Sequence, residues 1–282
     1  EGNAFQSALQ AELTKGDSFA AARQRAVAAL LSPSDAALLS DPNNTLGIEY
    51  CRALLRVGAA PALFTIPRTG AAHDATPENA GGYSASAIRH LLAEGRRADA
   101  LSRMVPAMRT VYEVEEAAGR APVFAAACGR AILARLRSMT PAEFDALDTG
   151  HEGVGQRLYN ASRNAATLDA VLDNAKTKRY AYARLRRMVL WAYLGLSPAE
   201  LPASVPYLRV LAANETGRAL LGRMRKTARF PVITKPAAIR SLSPDSQRLF
   251  ETESRAADLY ALAYPELTEA CGSLWRQNPV MP

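Results

Sequence analysis

Residues 61–67 read PALFTIP. Leu63, Phe64, Thr65 and Ile66 form a short apolar and β-branched run closed by a proline at each end, which predicts a strand. The polar stretch 68–83, RTGAAHDATPENAGGY, follows. A loop of that length inside a compact domain is usually functional. Next comes SASAIRHLLAEG at 84–95, whose serines and apolar spacing predict a capped helix. Before the strand, NTLGIEYCRALLRV at 44–57 places Leu46, Tyr50, Leu54 and Val57 on one helical face, and Gly58 stops it. Helix, strand, loop, helix is the order of one α/β unit. With a single clear strand, a sheet here lacks its other strands.

Outward from this unit the chain is helical. Residues 3–15 and 18–31 read as helices separated by Gly16-Asp17, with Asp17 a suitable cap for the second. Beyond Arg96, helical patterns follow one another at 97–103, 105–118, 122–138, 141–147, 152–164, 167–175, 178–195, 215–228 and 244–263. Pro106, Pro122 and Pro141 suit first-turn positions. PYLRVL at 206–211 and PVIT at 231–234 flank the 215–228 helix and predict a small β-α-β insertion. The expected architecture is mainly α, with one α/β remnant at 1–95 and a helical, basic domain at 96–282.

Charge divides the same way. The 282 residues carry a net charge of +7. Residues 1–95 hold 7 Lys/Arg against 9 Asp/Glu, and residues 96–282 hold 27 against 18. A basic half points to a polyanionic partner. No apolar run approaches the ~18–20 residues a membrane helix needs, so no membrane partner is expected. The start, EGNAFQSALQ, has neither a signal-peptide pattern nor an initiator Met, and it opens inside a helical pattern. A longer natural N-terminus is therefore expected. Cys51, Cys128 and Cys271 are scattered in helical settings, which predicts three buried free thiols in a reducing cytoplasm. His73, His90 and His151 are equally dispersed, and no metal site can be read from them.

Four stretches could carry chemistry. DPNNTLGIEY places Asn43-Asn44 at a helix start, either as turn and N-cap or as amides presented to a ligand. FTIPR ends the strand with Arg68, a position where open α/β sheets bind ligands or simply a solvated charge. His73-Asp74 in the next loop is a weak pair. In SASAIR, Ser84 and Ser86 add hydroxyls to the open N–H groups of a helix N-terminus, and Arg89 adds a fork suited to phosphate oxygens. A plain serine cap on a surface helix explains the same residues.

KTKRYAYARLRRM at 176–188 packs Lys176, Lys178, Arg179, Arg184, Arg186 and Arg187 around Tyr180 and Tyr182 without an acid. On one continuous helix, Arg179, Arg186 and Arg187 share a face, with Tyr182, Leu185 and Val189 inward. Basic residues beside tyrosine suit an RNA backbone and an unstacked base. The alternative is a solvated helix face. A second basic cluster comprises Arg218, Arg223, Arg225, Lys226 and Arg229.

PNNTLGIEY, IPR followed by HD, SASAIRHLL, EGVGQRL, KTKRYAYARLRRM, PYLRVL and ESRAADLYAL occur in this order between about residue 5 and residue 263. Together they resemble the bacterial tRNA(Met) cytidine acetate ligase family, of the HxGH nucleotidyltransferase superfamily. The resemblance implies that residues 1–95 are the C-terminal part of a Rossmann-like nucleotidyltransferase domain and 96–282 a tRNA-binding domain. It implies ATP as substrate, with Mg2+ as its candidate companion ion, acetate activated as acetyl-adenylate, and acetyl transfer to the wobble cytidine of elongator tRNA(Met). It assigns Asn43, Arg68, Ser84, Ser86 and Arg89 to ATP, and the cations of 176–187 to tRNA.

The chain departs from the family in two respects: neither an HxGH nor a Gly-rich first strand-loop-helix, which family members carry in an N-terminal portion, occurs in it. No catalytic residue is therefore assigned, and this polypeptide alone is expected not to catalyse the reaction. The rival reading is a non-catalytic RNA-binding protein that ignores ATP. A third is a helical protein-interaction module whose basic faces are merely solvated. A strand edge left open at PALFTIP would favour a homodimer.

Overall fold

The computed structural model describes residues 2–16, 18–66, 84–148, 153–267 and 270–281. Two compact units divide the chain. The first joins residues 1–69 to 172–186, and the second joins 70–171 to 187–282.

In the first unit, α1 (Asn3–Leu13) packs on α2 (Phe19–Ala28), followed by α3 (Pro33–Ala37) and α4 (Pro42–Val57). Each helix after α1 starts on a side-chain cap. Ser18 Oγ accepts from Ala21 N at 3.4 Å, and Ser32 Oγ from Asp35 N at 3.2 Å. Asp41 Oδ1 accepts from Asn43 N at 2.7 Å and Asn44 N at 3.4 Å. Ser18, not the expected Asp17, therefore caps α2; Asp17 lies outside the described residues. The close approach of α2 uses Ala22 and Ala26, both fully buried. Arg25 holds Glu12 at 2.8 Å and Arg23 holds Glu49 at 3.0 Å. Gly58 ends α4 in the left-handed conformation, φ +65°, which a residue with a Cβ adopts only at a cost.

PALFTIP is not a strand over its described residues 61–66. Phe64 is 94% exposed and Ile66 93%. A strand exists only by pairing its N–H and C=O groups with another, and no described segment pairs with this one. The apolar face of α4 is likewise open: Leu46, Tyr50 and Val57 are exposed. Cys51 on α4 and Cys271 near the C-terminus are exposed as well, contrary to expectation; only Cys128 is buried, and all three are free thiols.

The second unit contains α5 (Ala85–Ala93), α6 (Arg97–Ser102), α7 (Pro106–Ala117), α8 (Gly129–Ser138), α9 (Pro141–Ala146) and α10 (Val154–Asn164). Pro106 and Pro141 begin their helices as expected. Pro122 does not, because Phe124 is extended and only a 3-10 turn at Ala125–Cys128 leads into α8. Thr140 and Glu143 form a reciprocal capping box on α9. Ile132, Leu133 and Leu136 of α8, Phe144 of α9 and Leu158 of α10 are buried. Phe144 meets Tyr159 edge to face, centroids 5.6 Å apart.

The chain then leaves through α11 (Leu168–Ala175) and returns along α12 (Tyr182–Leu194). After α12 the expected β-α-β insertion is present. β1 (Leu208–Arg209) and β2 (Val232–Ile233) pair in parallel, joined through α13 (Glu215–Thr227). α14 (Pro244–Ala261) and α15 (Ser273–Arg276) complete the unit. A second core there gathers Tyr207, Ile233, Ile239, Phe250 and Leu274, with Trp275 against Phe250 at 4.6 Å. Among the described residues no helix is long and apolar enough to cross a membrane.

Candidate nucleotide and nucleic-acid sites

α5 begins at Ser84, whose Oγ accepts from Ala87 N at 3.2 Å. That bond uses an oxygen lone pair and leaves the hydroxyl proton free to donate outward. Ser86 lies in the first turn and Arg89 three residues on, and both are exposed. Residues three apart are neighbours on a helix surface, so one outward face carries a hydroxyl and a guanidinium. Ala87 and Leu91 are buried on the inward face. A helix N-terminus carries partial positive charge and open N–H groups. The α5 terminus thus combines the helix dipole, two hydroxyls and Arg89, a set that can donate to phosphate oxygens.

Asn43 lies in the first unit, in the first turn of α4. Its backbone N–H is taken by the Asp41 cap and its side chain is exposed. Neither asparagine is the N-cap: the carboxylate of Asp41 fills that role, which leaves both amides available. Arg68, His73 and Asp74 lie outside the described residues.

The basic segment is organised differently from the single helix the sequence suggests. Thr177 Oγ1 accepts from Tyr180 N at 3.1 Å, closing a local turn that competes with helix. α12 therefore starts at Tyr182, and Arg179 does not share a helical face with Arg186 and Arg187. Leu185, Met188 and Val189 are buried, as the inward face requires. Lys176, Lys178, Arg179, Arg186 and Arg187 are exposed, and Arg184 is half-buried.

The aromatic rings serve the cations. Lys176 Nζ stands 5.4 Å and the Arg186 guanidinium 5.6 Å from the Tyr182 ring centroid. Arg184 stands 5.6 Å from the ring of buried Tyr180, and Arg187 5.9 Å from Trp191. Such contacts are worth about 0.5–1 kcal/mol each where exposed. The Tyr182 hydroxyl donates to Asp173 on α11. Asp173, absent from the sequence-based set, orients the ring; nine residues of separation across a turn give no periodic signal for it. Tyr180 and Tyr182 thus each lie under at least one cation of the segment.

Other arginines of the second unit are used internally. Arg97 forks onto Glu116 at 2.6–3.0 Å, which holds that carboxyl below its usual range. Arg120 does the same to Glu115. Arg137 donates to Ala165 O at 2.9 Å and Arg163 to Met139 O at 2.8 Å. Gly153, φ +79°, opens α10, and Gly155 lies against α9; both belong to the EGVGQRL stretch.

A family model described as HIGH Nucleotidyl Transferase matches residues 1–273. The tRNA(Met) cytidine acetate ligase of Acetivibrio thermocellus is 31% identical, over 100% of this chain and 71% of that protein. The one from Thermotoga petrophila is 28% identical, over 95% and 68%. Among solved structures, Thermotoga maritima TmcAL in apo form I superposes with a TM-score of 0.91 at 26% identity, over 99% of this chain and 71% of that one. A second form of that protein, bound with alpha-thio ATP, gives 0.88 at 24% identity, over 100% and 70%, and shows the shared fold. By sequence along its whole length and by fold, the chain belongs to the tRNA(Met) cytidine acetate ligase family of HIGH nucleotidyl transferases.

Proposed function

We propose that this chain serves an ATP-dependent tRNA(Met) cytidine acetate ligase reaction in the cytoplasm, supplying nucleotide-phosphate contacts and the tRNA-binding surface. The observation that carries the proposal is the α5 N-terminus, where Ser84, Ser86 and Arg89 gather donors and positive charge on one helix end. In the reaction an acetate oxygen attacks the α-phosphorus of ATP and pyrophosphate leaves. The exocyclic amine of the wobble cytidine of elongator tRNA(Met) then attacks the acetyl carbonyl, AMP leaves, and the amine loses a proton. Donors fixed before the reaction stabilise charge as it develops on the phosphates. Ser84, Ser86 and Arg89 hold phosphate oxygens, and the family resemblance assigns Asn43 and Arg68 to ATP as well.

The cations of 176–187, steadied on Tyr180, Tyr182 and Trp191, hold the tRNA backbone. In this assignment residues 1–95 belong to the nucleotidyltransferase domain and 96–282 to the tRNA-binding domain. Mg2+, as the companion ion of ATP, would be carried on the nucleotide phosphates; among the described residues no cluster of three His, Cys, Asp or Glu side chains forms.

The test is binding of radiolabelled ATP and of an unmodified elongator tRNA(Met) transcript to the chain, with acetyl transfer measured alongside. Binding of both ligands is expected, with Arg89→Ala weakening ATP and leaving tRNA unchanged. Binding of tRNA without ATP supports the rival RNA-binding reading, for which the basic segment alone would suffice. Binding of neither rejects both.

A further inference from the structure

One groove outside these sites gathers positive charge without a carboxylate. It lies beside α13, at the carboxyl ends of the parallel strands β1 and β2. The C-terminal tail closes it: Ala213 N donates to Val280 O and Val280 N to Leu211 O, both at 3.0 Å. Arg218, Gly222 and Arg225 of α13, Lys235 beyond β2 and Asn278 of the tail line a volume of about 420 Å³. An adjoining pocket of about 140 Å³ shares Lys235 and Asn278 and adds Arg209, whose guanidinium is already paired with Glu253 at 3.6 Å. Neither lining contains an Asp or Glu. The larger cleft of this unit, about 900 Å³, instead mixes Glu200, Asp245 and Glu251 with Arg248 and Arg255, and gives a polyanion no net attraction.

Gly222 sits in the interior of α13, where glycine weakens a helix relative to any ordinary residue. Packing does not require it, because a Cβ built there meets nothing within 4 Å. Arg218 lies one turn before it and Arg225 one turn after, on the same side of the helix. What a bare Cα offers at such a place is close approach of another backbone.

We propose that this groove is a second RNA-backbone site, in which Arg218, Arg225 and Lys235 straddle phosphates of the tRNA substrate as the strand passes over Gly222. The proposal rests on the tRNA-binding reading given above. It assigns the strand-helix-strand insertion a role in holding substrate, at residues separate from the 176–187 cations. Charge complementarity selects the occupant: Arg218, Arg225 and Lys235 line a groove of about 420 Å³ whose lining includes no Asp or Glu.

The experiment is filter binding of an unmodified elongator tRNA(Met) transcript to the full chain across a salt series. Wild type is compared with Arg225→Ala/Lys235→Ala, Gly222→Leu and Arg186→Ala/Arg187→Ala, with circular dichroism melts on each. The Arg225→Ala/Lys235→Ala pair is expected to lower affinity and flatten the log–log salt slope by about 1.5–2, close to one unit for each phosphate no longer neutralised. Gly222→Leu is expected to weaken binding several-fold at unchanged slope while melting no lower than wild type, since leucine favours helix. Wild-type affinity and slope in the Arg225→Ala/Lys235→Ala pair would overturn the groove site. If the Arg186→Ala/Arg187→Ala pair binds weakly in that same series, the tRNA reading itself stands. Undiminished binding by Gly222→Leu rules out passage over the glycine. A wild-type chain that does not bind the transcript removes both readings.

Discussion

Gly155 of α10 rests on the Phe144 carbonyl of α9: a Cβ built on Gly155 stands 2.7 Å from that oxygen and 2.6 Å from Asp145 Oδ1. Two of the three nearest atoms are backbone, which cannot swing aside. Gly155→Ala is expected to destabilise the second unit by about 1–3 kcal/mol through overpacking, despite the better helix propensity of alanine. Chemical denaturation measures it, and a neutral result would mean that α9 and α10 are less tightly apposed.

Ser84 and Ser86 separate a structural from a ligand-facing hydroxyl. Ser84→Ala removes the α5 cap and is expected to cost about 1 kcal/mol. Ser86→Ala, at an exposed site without a cap bond, is expected to change stability by less than about 0.5 kcal/mol. Both are expected to weaken ATP binding in a direct titration. Undiminished ATP affinity in Ser86→Ala would remove that hydroxyl from the nucleotide site.

Tyr182 offers a ring to Lys176 and Arg186 and a hydroxyl to Asp173. Tyr182→Phe keeps the ring and is expected to cost about 0.5–1.5 kcal/mol of stability with tRNA affinity little changed. Tyr182→Ala removes the platform and is expected to weaken tRNA binding further. Equal losses in the two variants would place the effect in the hydroxyl.

Burial, followed by the neighbouring Cys128, pushes the Tyr193 phenol up to about 12. An unfolded tyrosine ionises near 10. Between these values the folded state binds more protons than the unfolded one, so stability falls as pH rises. The contribution is complete below about pH 10 and gone above about pH 12. Wild-type chain is expected to lose melting temperature more steeply across that interval than Tyr193→Phe does, and parallel curves would show that Tyr193 is not the linked group.

Local chemistry made much of this fold legible. Pro106 and Pro141 announce their helices, and the alternation of PYLRVL and PVIT around a basic helical pattern is enough to place a parallel pair. Tertiary partners explain what could not be read. PALFTIP has every strand preference, yet a ladder needs a second strand, and no intrinsic propensity substitutes for one. The first turn of the basic helix gives way to Thr177, whose hydroxyl satisfies the Tyr180 N–H that a helix would have used. Asp41 is the cap because Pro42 takes the first helical position, which leaves Asp41 as the extended residue before it and puts both asparagines inside the first turn. At α5 the residue types and their spacing were readable in full; the duty of Ser84 as cap, distinct from that of Ser86, needed the hydrogen bond itself.

The first compact unit is written in two separated pieces, residues 1–69 and 172–186. A chain emerging from the ribosome carries the first piece for roughly a hundred residues before the second appears, which at about 5–20 residues per second is on the order of 5–20 seconds. The helices of 84–164 can gather meanwhile, since their partners follow closely in sequence. A break placed anywhere between residues 70 and 171 would therefore divide the first unit itself, and neither fragment would carry it whole.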